Sequence, residues 1–125
     1  MSKIYLACQY STANDELKTW LVKECSMIAA KLMEAGHVVY SPITHSHVIR
    51  RYLSDGNRNS FEFWRKQSIA MLEDSDILVI LPFLGWRSSR GIAREMDFAK
   101  FEGIPIFIYN LATGILVPHE EVKAK

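Results

Sequence analysis

Ile77-Leu78-Val79-Ile80-Leu81-Pro82-Phe83 runs without a polar side chain, and that run limits the folds open to this chain. A strand with one solvated face alternates apolar with polar residues. An unbroken, β-branched run suits a strand covered on both faces. Covering both faces takes helices that connect parallel strands, and the sequence supplies them in alternation. Lys3 to Cys8 reads as a first strand. The polar stretch Gln9 to Asn14 leads into a helix that starts near Asp15, carries the stripe Leu17, Leu21, Ile28, Leu32 and Met33, and closes on Gly36. Val38 to Ser41 reads as a second strand, Phe61 to Leu72 as a helix, Ile77 to Phe83 as a third strand. A further helix carries Ile92, Met96 and Ala99 and ends at Gly103, and Ile104 to Tyr109 makes a fourth strand.

With right-handed crossovers this alternation predicts the α/β class: a single-domain, three-layer, doubly wound parallel sheet of four to five strands, Rossmann-like or flavodoxin-like, over residues 1–125. The tail after Ala112, with Leu116-Val117-Pro118 and then Glu120-Glu121-Val122-Lys123, leaves open a short fifth strand followed by a frayed end. The stretch from Pro42 to Asn59 shows no helical or strand period and reads as a long functional loop, a candidate lid.

Fifteen Lys and Arg against fourteen Asp and Glu give a net charge of +1. Without a long basic run, a polymer binder that lives on phosphate neutralisation is excluded, and a small-molecule ligand is expected. The one basic concentration, Arg50, Arg51, Arg58, Arg65 and Lys66, reads first as a solvated face and second as a device that steers a phosphorylated ligand. No segment reaches the ~18 apolar residues of a membrane span, and the first residues are too short for a secretory signal, so a cytoplasmic protein with no membrane partner is expected. Cys8 and Cys25 lack metal-ligand spacing and read as reduced core residues.

In parallel sheets ligands bind beyond the carboxyl ends of the strands. Three loops reach that rim: Gln9 to Ser11, Ser41 to His47, and Phe83 to Ser89. The third holds Gly85, Ser88, Ser89 and Gly91, small residues suited to a helix start, where unpaired N–H groups bind anions. Glu95 follows in the second turn, with Gly91 and Ala99 on its own face. The helix dipole favours its ionised form by roughly 0.3–1 kcal/mol. Two readings stand side by side: a carboxylate nucleophile beside an anion site, or an acidic residue that only stabilises its helix. Asp97 points about 200° away around the helix and cannot share the pocket.

The Ile-Tyr-Leu-Ala strand, the Asp-x-Leu-Val-x-Leu strand and the Gly-Trp-x-x-Ser-x-Gly-x-x-x-Glu-x-x-x-Ala turn and helix resemble the nucleoside 2-deoxyribosyltransferase-like superfamily. Ser41-Pro-Ile-Thr-His-Ser-His47 is similar to its small bacterial and phage members. The resemblance covers most of the chain through Tyr109. It implies cleavage, by hydrolysis or transfer, at the anomeric carbon of a nucleoside or nucleotide, as in deoxyribosyltransferases and nucleoside 5'-monophosphate N-glycosidases. It places Glu95 at the nucleophile, Tyr5 at the tyrosine that positions it, and Ser89 and Gly91 at the 5'-phosphate. It also implies a homo-oligomer, a small-molecule nucleotide or nucleoside partner, and no cofactor.

One departure is plain. The family's second carboxylate falls on Ser68, which cannot act as a general acid, and such proton transfer supplies ~10²–10⁴-fold of rate. His45, His47 or Asp55 are the substitutes on offer. The two histidines also read as a pair that orders its loop, and with no further ligand beside them no metal is expected. Trp86 stacks on a base or caps the core, Trp64 and Phe61 read as core, and Gln9 and Ser88 join the rim as substrate contacts. The alternative function is non-catalytic binding of a nucleotide or ADP-ribose-like ligand in the same pocket.

Overall fold

A computed structural model describes residues 2–10 and 14–119. Its strands are β1 (Lys3–Ala7), β2 (Val38–Tyr40), β3 (Ile77–Ile80), β4 (Ile106–Tyr109) and β5 (Leu116–Pro118). They form one sheet in the order β2-β1-β3-β4-β5. The first four are parallel, with Tyr5 opposite both Tyr40 and Leu78. The helices are α1 (Asp15–Glu34), α2 (Pro42–Ile49), α3 (Asp55–Arg58), α4 (Phe61–Glu73) and α5 (Arg90–Glu102).

Alternate residues of a strand face opposite sides, and the two cores follow from that. Ile4, Leu6 and Val79 pack with Leu21, Cys25 and Ile28 of α1. Tyr5, Ala7, Leu78 and Ile80 pack with Leu72 of α4 and with Ile92 and Ala99 of α5. Both faces of β1 and β3 are therefore buried, as the unbroken apolar run requires. No described helix is long and apolar enough to cross a membrane. Cys8 and Cys25 are free thiols, both buried.

Two expectations need correction. The fifth strand forms, but antiparallel to β4, so the sheet is mixed. Its connection is too short to cross over: Asn110 Oδ1 accepts from the Ala112 and Thr113 amides, and Gly114 takes φ +78° to close the turn. The stretch from Pro42 to Asn59 is not an open loop either. It folds into α2, a 3₁₀ turn over Arg50–Tyr52, and the single turn α3. Pro42 sits at a helix start, where its missing N–H costs nothing. The period is obscured because each helix is too short to build a stripe. Side-chain bonds supply the rest: the Arg58 guanidinium donates to the carbonyls of Arg50 at 2.8 Å and Leu53 at 2.8 Å, closing the segment on itself.

A pocket between two helices and a strand end

β3 ends at Ile80, and Gly85, at φ +90°, turns the chain into a 3₁₀ turn over Trp86–Ser88 that delivers Ser89 to the head of α5. Ser89 caps that helix, its Oγ accepting from the Ile92 amide at 3.2 Å. Six residues further, Glu95 is 8% exposed, the one buried charged side chain among the described residues. The phenol of Tyr5, from β1, donates to Glu95 Oε2 at 2.5 Å. Both groups shift. Burial pushes the Glu95 carboxyl up to about 7, opposed by the Tyr5 hydrogen bond. Burial and the Glu95 charge push the Tyr5 phenol well above its ordinary value, while a hydrogen bond with the Ser68 hydroxyl pulls it down. The helix dipole, expected to favour the ionised form of Glu95, is outweighed: desolvation exceeds a dipole contribution that falls off after the first turn.

Glu95 lies on the wall of a cavity of about 660 Å³. Ser89 and Gly91 line it from the start of α5, Ser68 from α4, and His45 from α2. The His45 ring stands 5.6 Å from that of Tyr40, which stands 5.6 Å from that of Tyr5, so an aromatic row runs from His45 toward the carboxylate. Burial, then the Glu95 charge, raises the Tyr40 phenol as well.

Other expected contacts lie elsewhere. Trp86 belongs to the core between sheet and α5, so it caps the core and does not face the cavity. Ser88 is exposed on the 3₁₀ turn and away from the lining. Gln9 ties its amide to the Leu84 carbonyl at 2.8 Å, bracing one rim loop against another; its Oε1 is buried without a hydrogen-bond partner. His47 pairs its Nδ1 with the Tyr10 hydroxyl at 2.6 Å and lies behind Tyr10. Asp55 faces outward and pairs with Arg58. Of the rim loop Gln9 to Ser11, Ser11 lies outside the described residues.

Phe61 and Trp64, read from sequence as core, line the cavity instead. With Ser68 they occupy one face of α4 at spacings of three and four, a pattern identical to that of a core stripe. Tyr40 and Arg90 went unnoticed as site residues, whereas Tyr10, inside the rim loop Gln9 to Ser11, and Arg50, read second as a charge that steers a phosphorylated ligand, both line the cavity. Position was the available signal for two of them, since Tyr40 ends β2 and Tyr10 stands just past β1, on the carboxyl rim. Among the described residues no three His, Cys, Asp or Glu side chains gather as a metal site would need.

The profile of a family described as a domain of unknown function (DUF1937) matches residues 2–111. Among solved structures, a 2-deoxyribosyltransferase from the psychrotolerant bacterium Bacillus psychrosaccharolyticus superimposes with a TM-score of 0.58, covering 94% of this chain and 99% of that one at 19% identity. The fold is thus nucleoside 2-deoxyribosyltransferase-like. No curated protein matches the chain.

Proposed function

The chain belongs to the DUF1937 family, and on this scaffold we propose that it cleaves the N-glycosidic bond of a nucleoside or nucleoside 5'-monophosphate with Glu95 as nucleophile. The observation that carries this reading is the buried Glu95 carboxylate on the cavity wall, held by the Tyr5 phenol. A carboxyl with a pKa of about 7 is half ionised at neutral pH and poorly solvated, and so reactive toward an electrophilic carbon.

The free amides at the head of α5, near Ser89 and Gly91, take the 5'-phosphate. An ionised Glu95 oxygen attacks the anomeric carbon, and the bond to the base breaks with its electron pair on the base. Of the three groups on offer to replace the carboxylate missing at Ser68, His45 alone lines the cavity. Its protonated ring gives the leaving base a proton; once neutral, it takes one from the water that opens the glycosyl ester. Two displacements give net retention.

Ser68 also favours a second reading. No carboxylate besides Glu95 lines the cavity among the described residues, as in a pocket that holds a nucleotide or ADP-ribose-like ligand without turning it over. One experiment separates the two: chromatographic detection of free base from a panel of ribo- and deoxyribonucleoside 5'-monophosphates, with Glu95→Gln in parallel. Release lost in the variant supports the glycosidase. Release unchanged by the substitution rules out Glu95 as nucleophile, and ligand protection against heat without release favours the binder.

A further inference from the structure

The cavity has one acidic side chain and several basic ones, and the basic ones do not serve the acid. Glu95 takes its hydrogen bond from the Tyr5 phenol, and the basic side chains on the lining include Lys18, Arg50 and Arg90. Among the described residues none of the three is in a salt bridge. They fall in two places. Arg90 opens α5 and lies over the Phe61 ring, 4.1 Å from its centre, beside Ser89 and Gly91. Arg50 and Lys18 meet at Tyr10 instead, on the part of the cavity built by α1 and the end of α2. The Arg50 guanidinium is 5.3 Å from the Tyr10 ring centre and 5.8 Å from that of Trp64, and Lys18 Nζ is 5.2 Å from Tyr10.

Arg50 differs from a solvated surface arginine. It is half-buried, held against two aromatic rings, and donates to the Arg58 carbonyl at 3.4 Å. That carbonyl also accepts from the Trp64 indole at 2.9 Å, and the Tyr10 hydroxyl is fixed by His47 at 2.6 Å. Much of the entropy a ligand would otherwise have to remove from this side chain is therefore already lost. Asp15 is near enough to raise the Tyr10 phenol, but it is exposed and pairs with neither cation. The volume of about 660 Å³ lies within the range of drug-sized ligand sites, roughly 300–1,000 Å³, and leaves room beyond one nucleoside monophosphate.

We propose that Lys18, Tyr10 and Arg50 form a second phosphate subsite, so that the preferred ligand of this pocket is a nucleotide bearing two phosphoryl groups. This rests on the nucleotide reading above and adds to it. The first phosphate sits at the head of α5. The second is either the terminal group of a 5'-diphosphate or a separate group on the sugar, and Arg50 receives it with its planar fork while Lys18 adds charge.

Calorimetric titration of the full chain carrying Glu95→Gln, so that ligand is not consumed, tests this with three probes: a nucleoside 5'-monophosphate, the 5'-diphosphate and the 3',5'-bisphosphate. One doubly phosphorylated probe is expected to bind about tenfold or more tighter than the monophosphate, as one charge-assisted contact supplies; which one tells the source of the second group. Lys18→Gln and Arg50→Gln are each expected to shrink that ratio to about threefold or less, and Arg50→Lys to keep part of it. Lys18 is half-buried on α1 and in no salt bridge among the described residues, and its variant reads the subsite even if an Arg50 variant misfolds. Equal affinity for all three probes, or an advantage that survives both substitutions, overturns the subsite and leaves the monophosphate reading standing. No binding of any of the three probes, while the fold is intact, removes the nucleotide reading and the subsite with it.

Discussion

The Tyr5 phenol and the Glu95 carboxylate, ninety positions apart in the chain, meet at 2.5 Å inside the layer between the sheet and α5. Neither group is at ease there. Desolvation raises both pKa values, and the hydrogen bond favours the ionised carboxylate. This pair sets the pH behaviour of the molecule.

Glu95 has a folded pKa of about 7 against an ordinary value of 4.5. The folded state therefore holds a proton that the unfolded chain has released between those values, and stability falls with rising pH across that window and levels off above it. The full swing is on the order of 3 kcal/mol. Thermal melts between pH 4 and 9 are expected to show this slope, and Glu95→Gln, neutral at every pH, is expected to flatten it and to melt higher than the parent at pH 8.

Activity has the opposite sign, because the nucleophile must be ionised. The rising limb of base release is expected around pH 7, where Glu95 loses its proton. Tyr5→Phe keeps the buried ring and removes the bond that favours the anion, so the rising limb is expected to move to higher pH and the rate at pH 7 to fall about tenfold or more. A pH–rate profile of both proteins checks this; an unshifted limb would mean that Tyr5 does not hold the carboxylate in the working enzyme.

His45→Gln is expected to slow release of ordinary bases by about 10²-fold. An N7-methylated purine nucleotide leaves without taking a proton, and its release is expected to change far less. Equal losses on both substrates in the first turnover, before water opens the glycosyl ester, would show that His45 gives no proton to the base.

Arg58 and Asp55 form an ion pair at 2.9 Å, yet they are expected to differ in effect. The Asp55 side chain is 89% exposed, so Asp55→Asn is expected to shift urea stability by less than about 0.5 kcal/mol. Arg58→Ala removes the guanidinium donor from the Leu53 carbonyl and leaves the Arg50 carbonyl only the Leu53 amide at 3.3 Å; it is expected to cost about 2 kcal/mol and to weaken ligand binding through the Arg50 segment.

The layered arrangement and its four parallel strands were readable in the chain because their cause is local. Ile77 to Phe83 is apolar without interruption, Leu17 to Met33 and Ile92 to Ala99 repeat at helical spacing, and Gly36 and Gly103 mark helix ends. Backbone geometry turns those intervals into faces. Glu95 was also readable, since its place after Ser89 and Gly91 is a matter of spacing along one helix. The short helices of the Pro42 to Asn59 stretch were not, because what orders them is Arg58 reaching back to carbonyls up to eight residues away.

Residue order also does not say what surrounds a side chain. A stripe such as Phe61, Trp64 and Ser68 looks the same whether it meets a core or a cavity, and the choice lay with the packing of α4 against α5 and the cavity left beside it. The ionisation of Glu95 was decided the same way: sequence supplies its distance from the helix start, but burial is a sum over neighbours from β1, α4 and α5, and only the assembled fold brings those neighbours together.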